Sequence, residues 1–507
     1  IKFMNVLVYF ASGDLCDSIN GCHVDLAIEE LSKGNHVVSL ICDEKLGPCM
    51  HNPLHSKLYC RFCKHAAMRD LHNLMPKDNV EYLELGKLID EVSNQPLPHF
   101  EYRDAEELRS LEYDNVQLGF GVMSTYISLT RNMDPKITPE TRAYFDSLIK
   151  EQILTLRVLK LLQKKYHFGL VVFQNGRGAQ FKPFLNYCQA EKIDFWCTED
   201  FSTEQNCINN FWNDYAHSLY AYDKKFKECW EKSQDSPAVR EKIARSFFEN
   251  RRNAKAAGDK IYVKDQIKGL MPKDWDSSKE NIVIFNSSED EFCAVGNEWD
   301  KLKIFKSQMD GIIALAEHYK NDTTKHFTLR VHPNLKDLPY KYHQNLYKLN
   351  YPNLTVIPGW DPISSYSLLD AADKVTVFGS TMGVEASYWK KPVICLGPSF
   401  YHSFGITYNP KSLDEVWQLI DTKNLQPLYN EKALWYGYYY MTDMHDKTKY
   451  INVDYLIKPF MGKTIKCCKY KKILGSTFLY GFIMKFLGSS WMKKRKAEFS
   501  YISNEEA

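Results

Sequence analysis

The chain has 507 residues, of which 44% are hydrophobic and 14% aromatic, which excludes a disordered protein and exceeds what one ordinary core organises. A formal net charge of +2 excludes a general nucleic-acid footprint, and 14 cysteines in this length are too sparse for a disulfide scaffold. Two or three domains in a reducing cytoplasm are the expectation.

In chain order, Val6-Leu-Val-Tyr-Phe10 reads as a first strand, being too short for the core of a secretory signal. A helix from Gly21 to Ser32, a Gly34-Asn35 turn and a strand ending at Cys42 follow, which is the opening of a doubly wound α/β domain. Cys42, Cys49, Cys60 and Cys63 then fall within a short insertion, residues 42–65, that also holds His51, His55 and His65. Four thiols can form a tetrahedral thiolate site for a structural zinc or an iron–sulfur cluster, although only the last pair has knuckle spacing and Cys42 can equally be a buried strand thiol.

The unit recurs downstream. A strand Phe168–Phe173 leads into Asn175-Gly-Arg177, a helix spans Phe181 to Glu191, and a strand Ile193–Cys197 is followed by Glu199. Residues 1–215 are therefore expected to form one Rossmann-like domain, and the charged stretch 216–275 a helical linker. Residues 276–425 start a second series: strands at Asn281–Asn286, His326–Val331 and Leu354–Pro358, a helix from Trp299 to Tyr319, and another from Ile363 to Ala372.

The densest stretch comes next, where the strand Lys374-Val-Thr-Val-Phe378 runs into Gly379-Ser-Thr-Met-Gly-Val-Glu385 and then Lys390-Lys-Pro392. Glycine permits close backbone approach, Ser380 or Thr381 can cap a helix whose N–H groups attract an anion, and Glu385 in the first turn can accept hydrogen bonds from sugar hydroxyls. An ordinary cap and first-turn acid would read the same way. Residues 426–460 form a return segment whose aromatic run Trp435–Tyr440 suits core, sugar platform or hinge alike. The remaining residues, 461–507, alternate basic clusters with an apolar run shorter than the ~20 residues of a spanning helix, so a basic amphipathic tail on an anionic membrane surface is expected, or else a helix packed on the protein body.

Arg330-Val-His-Pro333, Pro358-Gly-Trp-Asp361 and Gly379–Glu385 each close a strand, which is where open α/β sheets bind ligands. This succession, over roughly Asn281 to Pro398, resembles the donor-binding domain of bacterial capsule and surface-polysaccharide glycosyltransferases of the GT-B fold, with weaker similarity at Asn175-Gly-Arg177 and Glu199. The resemblance implies two Rossmann-like domains across a cleft and a metal-independent transfer of sugar from a nucleotide-sugar to a lipid-linked or oligosaccharide acceptor at the inner membrane face. It implies donor contacts at Arg330, His332, Gly359, Asp361, Gly379, Ser380, Thr381 and Glu385, with Asp361 serving the base or merely capping a helix. His332 would stabilise charge on the leaving nucleotide, though a satisfied strand-end histidine is the plain alternative. Asp14 and Glu199 are rival bases for the acceptor hydroxyl, and Asn175 and Arg177 would bind acceptor or phosphate. A polyol-phosphate transferase, a sugar-nucleotide epimerase and a noncatalytic membrane scaffold are the alternatives.

Overall fold

The structure, a computed structural model, describes residues 3–11, 18–50, 52–53, 55–75, 77–199, 207–258, 261–442 and 446–450. The Asp14 expectation and the basic tail lie outside these residues. The chain divides into two units, the first comprising described residues up to 217 with 293–295 and 446–450, the second 218–292 with 296–442.

Each unit is a Rossmann-like α/β fold. In the first, β1 (Asn5–Phe10), β2 (His36–Ile41), β3 (Val80–Glu84), β4 (Leu170–Gln174) and β5 (Asp194–Glu199) are parallel in the order β3-β2-β1-β4-β5. Antiparallel β6 (Cys207–Trp212) and the short strand Asp446–Lys447 extend the β5 edge. The apolar runs of β1 and β4 are covered on one face by Val24, Ala27, Ile28 and Leu31 of the helix Ser18–Ser32, so near-continuous hydrophobicity marks a strand buried on both sides. A 28-residue helix, Pro139–Tyr166, starts at a capping box between Thr138 and Thr141 and ends at His167 in a left-handed conformation.

The second unit has β7 (Glu280–Phe285), β8 (Lys325–Arg330), β9 (Leu354–Ile357), β10 (Lys374–Val377) and β11 (Val393–Cys395), all parallel, in the order β9-β8-β7-β10-β11. Strand order reverses on either side of β7, which pairs with both β8 and β10. Alternation along β7 splits its residues between two layers. Ile282 and Ile284 pack with Ile312, Leu315 and Ala316, while Val283 and Phe285 pack with Leu368, Leu369 and Ala386.

The helix expected from Trp299 to Tyr319 is broken: a short turn of helix at Asn297–Asp300 precedes a helix Gln308–His318 whose N-cap, Ser307, accepts the Asp310 N–H at 3.1 Å. The charged stretch after residue 216 forms helices Ala221–Glu231 and Pro237–Arg252, and both pack on the helix Lys432–Met441 inside the second unit. The aromatic run 435–440 supplies that packing, with Tyr436 against Phe226 and Phe247, so its role in the fold is core.

Replacing fully buried Ile284 by alanine is expected to cost about 2–5 kcal/mol through lost burial and a residual cavity, whereas Ile267→Ala, at a residue 56% exposed, should stay within about 0.5 kcal/mol. Urea denaturation of both variants reads the contrast.

Candidate functional site

A cavity opens in the second unit at the carboxyl ends of β7, β8 and β10, where the strand order reverses. Phe285 and Asn286 reach it from β7, Arg330 and His332 from β8, and Ser380, Thr381 and Met382 from the turn after β10. Tyr262, from the segment before β7, and Tyr366, from the helix Ser365–Ala371, complete its walls with Arg251 from the helix Pro237–Arg252.

The turn after β10 depends on two glycines. Gly379 has φ +89°, and a Cβ built on it would lie 2.4 Å from the Pro398 carbonyl oxygen. A Cβ on Gly383 would lie 2.1 Å from the Tyr401 hydroxyl, which itself donates to the Ser380 carbonyl. Backbone is thereby drawn in close, and the Ser380 hydroxyl accepts the Met382 N–H at 3.3 Å. The helix that follows, Met382–Tyr388, begins at Thr381 without a side-chain cap, so the serine and not the threonine plays the capping part.

His332 is held from two sides. Its backbone N–H donates to Asn286 Oδ1 at 2.8 Å, and its Nδ1 accepts the Asn334 N–H at 3.1 Å, which places the proton of a neutral ring on Nε2. The ring meets Tyr262 edge-on with centroids 4.9 Å apart. Asn286 and Tyr262 were not legible as site residues, because asparagine after a strand and an aromatic in a loop carry no spacing signal.

Arg330 serves the wall rather than open solvent. Nη1 donates to the Pro358 carbonyl at 2.8 Å and Nη2 to the Asp361 carbonyl at 2.9 Å, while burial lowers the guanidinium pKa to about 10. Asp361 does not cap the next helix, since Ser364 does so by accepting the Ser367 N–H at 3.1 Å; Asp361 instead accepts the Ile363 N–H at 2.9 Å within its own turn. Gly359 and Asp361 do not line the cavity. Gly359 packs where a Cβ would stand 3.0 Å from the His332 carbonyl oxygen, so its contribution is the close approach of two strand-end loops.

Glu385 lies at the cavity but is entirely buried. One carboxylate oxygen accepts Arg251 Nε–H at 2.9 Å and the other accepts the Tyr366 hydroxyl. Its oxygens therefore meet protein donors in the place expected for sugar hydroxyls. Neither Arg251 nor Tyr366 was marked by the sequence, because both belong to helices distant from residue 385 along the chain.

In the first unit, β4 and β5 end side by side. Asn175 (φ +60°) and Gly176 (φ +75°) form a tight left-handed turn in which Asn175 Oδ1 accepts the Arg177 N–H at 3.0 Å, while its Nδ2 donates to Glu199. Asn175 and Glu199 are thus brought together, with Glu199 only 9% exposed. His217 sits nearby, its pKa lowered by burial and by the charges of Arg177 and Lys182. Beneath them His23 bridges the Tyr9 carbonyl at 3.0 Å and the Thr198 hydroxyl at 2.7 Å, and burial lowers its pKa to about 4, so it is a neutral strut.

The four cysteines neighbour one another, yet among the described residues no three or more His, Cys, Asp or Glu side chains are arranged to hold a metal ion. Cys42 follows β2 directly, and burial comes first, with Cys49, Cys63, Glu151 and Cys60 nearby, in raising its thiol pKa; Cys60 accepts from Asn52 Nδ2 at 3.2 Å. Among the described residues, then, Cys42, Cys49, Cys60 and Cys63 are not arranged as a metal ligand set; His51 lies outside those residues. Glu151, 2% exposed against Gly47 in the same region, has its pKa raised to about 8 by burial.

Residues 304–434, about a quarter of the chain, match the family model described as capsule polysaccharide biosynthesis protein. The kinship read from the strand-end motifs is borne out over this segment, which contains Arg330, His332, Ser380, Thr381 and Glu385. No curated protein matches the chain. Among solved structures, the chain is similar to the Thermosulfurimonas dismutans KpsC beta Kdo 2,4 transferase, at 14% identity over 53% of this chain and 79% of that one, with a TM-score of 0.32. A second structure of that protein, the beta Kdo 2,7 transferase, gives 16% identity over 55% and 79%, with a TM-score of 0.30. The UDP-GlcNAc 2-epimerase from Neisseria meningitidis bound to UDP-GlcNAc gives 13% identity over 86% and 97%, with a TM-score of 0.27. Likenesses this low carry no activity across. Among the described residues no helix is long and apolar enough to cross a membrane.

Gly379→Ala should distort the turn after β10, because the added methyl meets backbone and the φ is unsuited to alanine. A lowered melting temperature, with loss of any nucleotide-induced stabilisation, is the expected thermal-shift result. Glu151 yields a pH signature: a pKa near 8 when folded and near 4.5 when unfolded means the folded chain keeps a proton that the unfolded chain releases, so stability falls as pH rises through that window. Glu151→Gln should flatten the fall between pH 5 and 8 in denaturation midpoints.

Proposed function

We propose that the chain is a nucleotide-sugar-dependent glycosyltransferase of capsule polysaccharide biosynthesis whose donor occupies the cavity at the ends of β7, β8 and β10. The observation that carries this reading is the coincidence of that cavity with the matched segment: the family match spans His332, Ser380 and Thr381, and the fold brings all three to one opening.

The chemistry fits a leaving nucleotide. As the sugar–phosphate bond breaks, negative charge grows on phosphate oxygen, and preset donors at that point lower the barrier. Nε2–H of His332, the hydroxyls of Ser380 and Thr381 and the cationic side chains of the cavity wall are the groups assigned to that charge. Glu385 is the one carboxylate among the described lining residues, and it is paired with Arg251, so the cavity favours an anionic ligand. Removal of the acceptor hydroxyl's proton is assigned to Glu199, oriented by Asn175, with Arg177 binding acceptor or phosphate. A lipid-linked acceptor and an anionic membrane surface belong to the same proposal.

A thermal-shift screen of CMP, UDP, GDP and CDP tests the donor site; at least one should stabilise the protein, and stabilisation by none sinks the assignment. His332→Ala should lower turnover at least tenfold with the melting temperature of the free protein little changed. Release of nucleotide dependent on an added glycan acceptor is the expected reaction signature, whereas conversion of the donor sugar without an acceptor would favour the epimerase alternative.

A further inference from the structure

Asn286 follows β7 directly, where the strand order reverses, and it and the next residue tie this strand end to both neighbouring strands. Asn286 Oδ1 accepts the His332 N–H beyond β8 at 2.8 Å, and the Ser287 hydroxyl donates to the Phe378 carbonyl just after β10 at 3.2 Å. Ser287 is fixed in turn by Gln308 of the helix Gln308–His318, which accepts the Ser287 N–H at 3.0 Å and donates to its hydroxyl at 2.7 Å. Asn286 therefore stands between the loop of His332 and the turn of Ser380, and it lines the cavity while only 3% exposed.

One end of the Asn286 carboxamide is accounted for. A backbone N–H can be met only by the amide oxygen, so the bond to His332 fixes which end is oxygen and turns Nδ2 to the other side. Among the described residues Nδ2 has no protein acceptor. A buried amide nitrogen costs free energy unless an acceptor meets it, and this one brings two donors without adding a charge. We propose that Asn286 Nδ2 hydrogen-bonds a phosphate oxygen of the donor, so that one carboxamide both holds the His332 backbone and contacts the ligand. This rests on the donor-site reading above, and phosphate is the partner because His332 and Ser380, the groups assigned to it, flank Asn286. The residue lies outside the matched segment 304–434 and adds a contact from β7 to those from β8 and the turn after β10.

Two substitutions in the full chain separate the two ends of the carboxamide. Asn286→Asp keeps an oxygen for the His332 N–H and puts a second, negatively charged oxygen in place of Nδ2, whereas Asn286→Ala removes both ends. Whichever of CMP, UDP, GDP and CDP stabilises the wild type, its matching nucleoside, and inorganic pyrophosphate are titrated against each variant. The nucleotide should weaken about tenfold or more in both variants, while the nucleoside stays within about twofold. Loss in Asn286→Ala alone would confine the residue to holding the His332 backbone and overturn the ligand contact. Loss in Asn286→Asp alone would show charge repulsion without a contact and overturn it as well. Equal weakening of nucleotide and nucleoside, or no weakening in either variant, also rejects the proposal. Where either variant does not fold, Asn286→Ser takes its place, with the same selective loss expected because its hydroxyl ends short of the position of Nδ2. If no nucleotide binds the wild type, the donor reading fails by itself: pyrophosphate binding that both variants weaken would still uphold the phosphate contact, and absence of that binding would end both.

Discussion

Everything at the cavity depends on one buried carboxylate. Glu385 has no contact with solvent, and a carboxylate removed from water must be met by charge and hydrogen-bond donors or the fold loses several kcal/mol. Arg251 and Tyr366 meet it. Satisfying this group brings the helices that carry them against the start of Met382–Tyr388, and the cavity walls follow from that requirement. Polar burial of this kind contributes little net stability compared with an apolar core, but it admits few alternative arrangements, which is the quality a binding site needs.

The second constraint is the parallel sheet. Because β7 lies between β8 and β10, the connections leaving its two neighbours go to opposite faces and separate at their carboxyl ends. Asn286, His332 and Ser380, far apart in sequence, arrive at that separation because each lies within three residues of the end of its strand. The hydrogen bond from the His332 N–H to Asn286 ties two of these ends together, and the approach of Gly359 to the His332 backbone adds a third loop. The strand-end loops at the cavity are thus held to one another by contacts within the protein.

Much of this was legible from the chain. Strands such as Val6–Phe10 and Asn281–Asn286 announced themselves as apolar, β-branched runs between polar turns, and the glycines around Ser380 marked a tight turn whose location at the cavity the structure supports. What escaped was long-range and polar. The partnership of residue 385 with residues 251 and 366 has no local pattern, and the first-turn position of Glu385 looked equally suited to solvent. The spacing of Cys42, Cys49, Cys60 and Cys63 suggested a ligand set, but spacing does not fix where thiols point once one follows a strand and two stand on a helix. The break at residues 301–307 was hidden for a related reason: hydrophobic periodicity continued across it, while the serine cap at Ser307 decided the true start.

The order of strands in the second sheet also bears on how the molecule can be divided. The segment matched by the family model begins at residue 304, yet the strand at the middle of the sheet is β7, at Glu280–Phe285. Excising residues 304–434 would leave β8 and β10 with no strand between them, each presenting an unpaired backbone edge and half of an apolar face to water. The stretch that heredity makes recognisable is smaller than the stretch that can stand as a body, and any truncation meant to isolate the cavity has to start upstream of both β7 and the helix that carries Arg251.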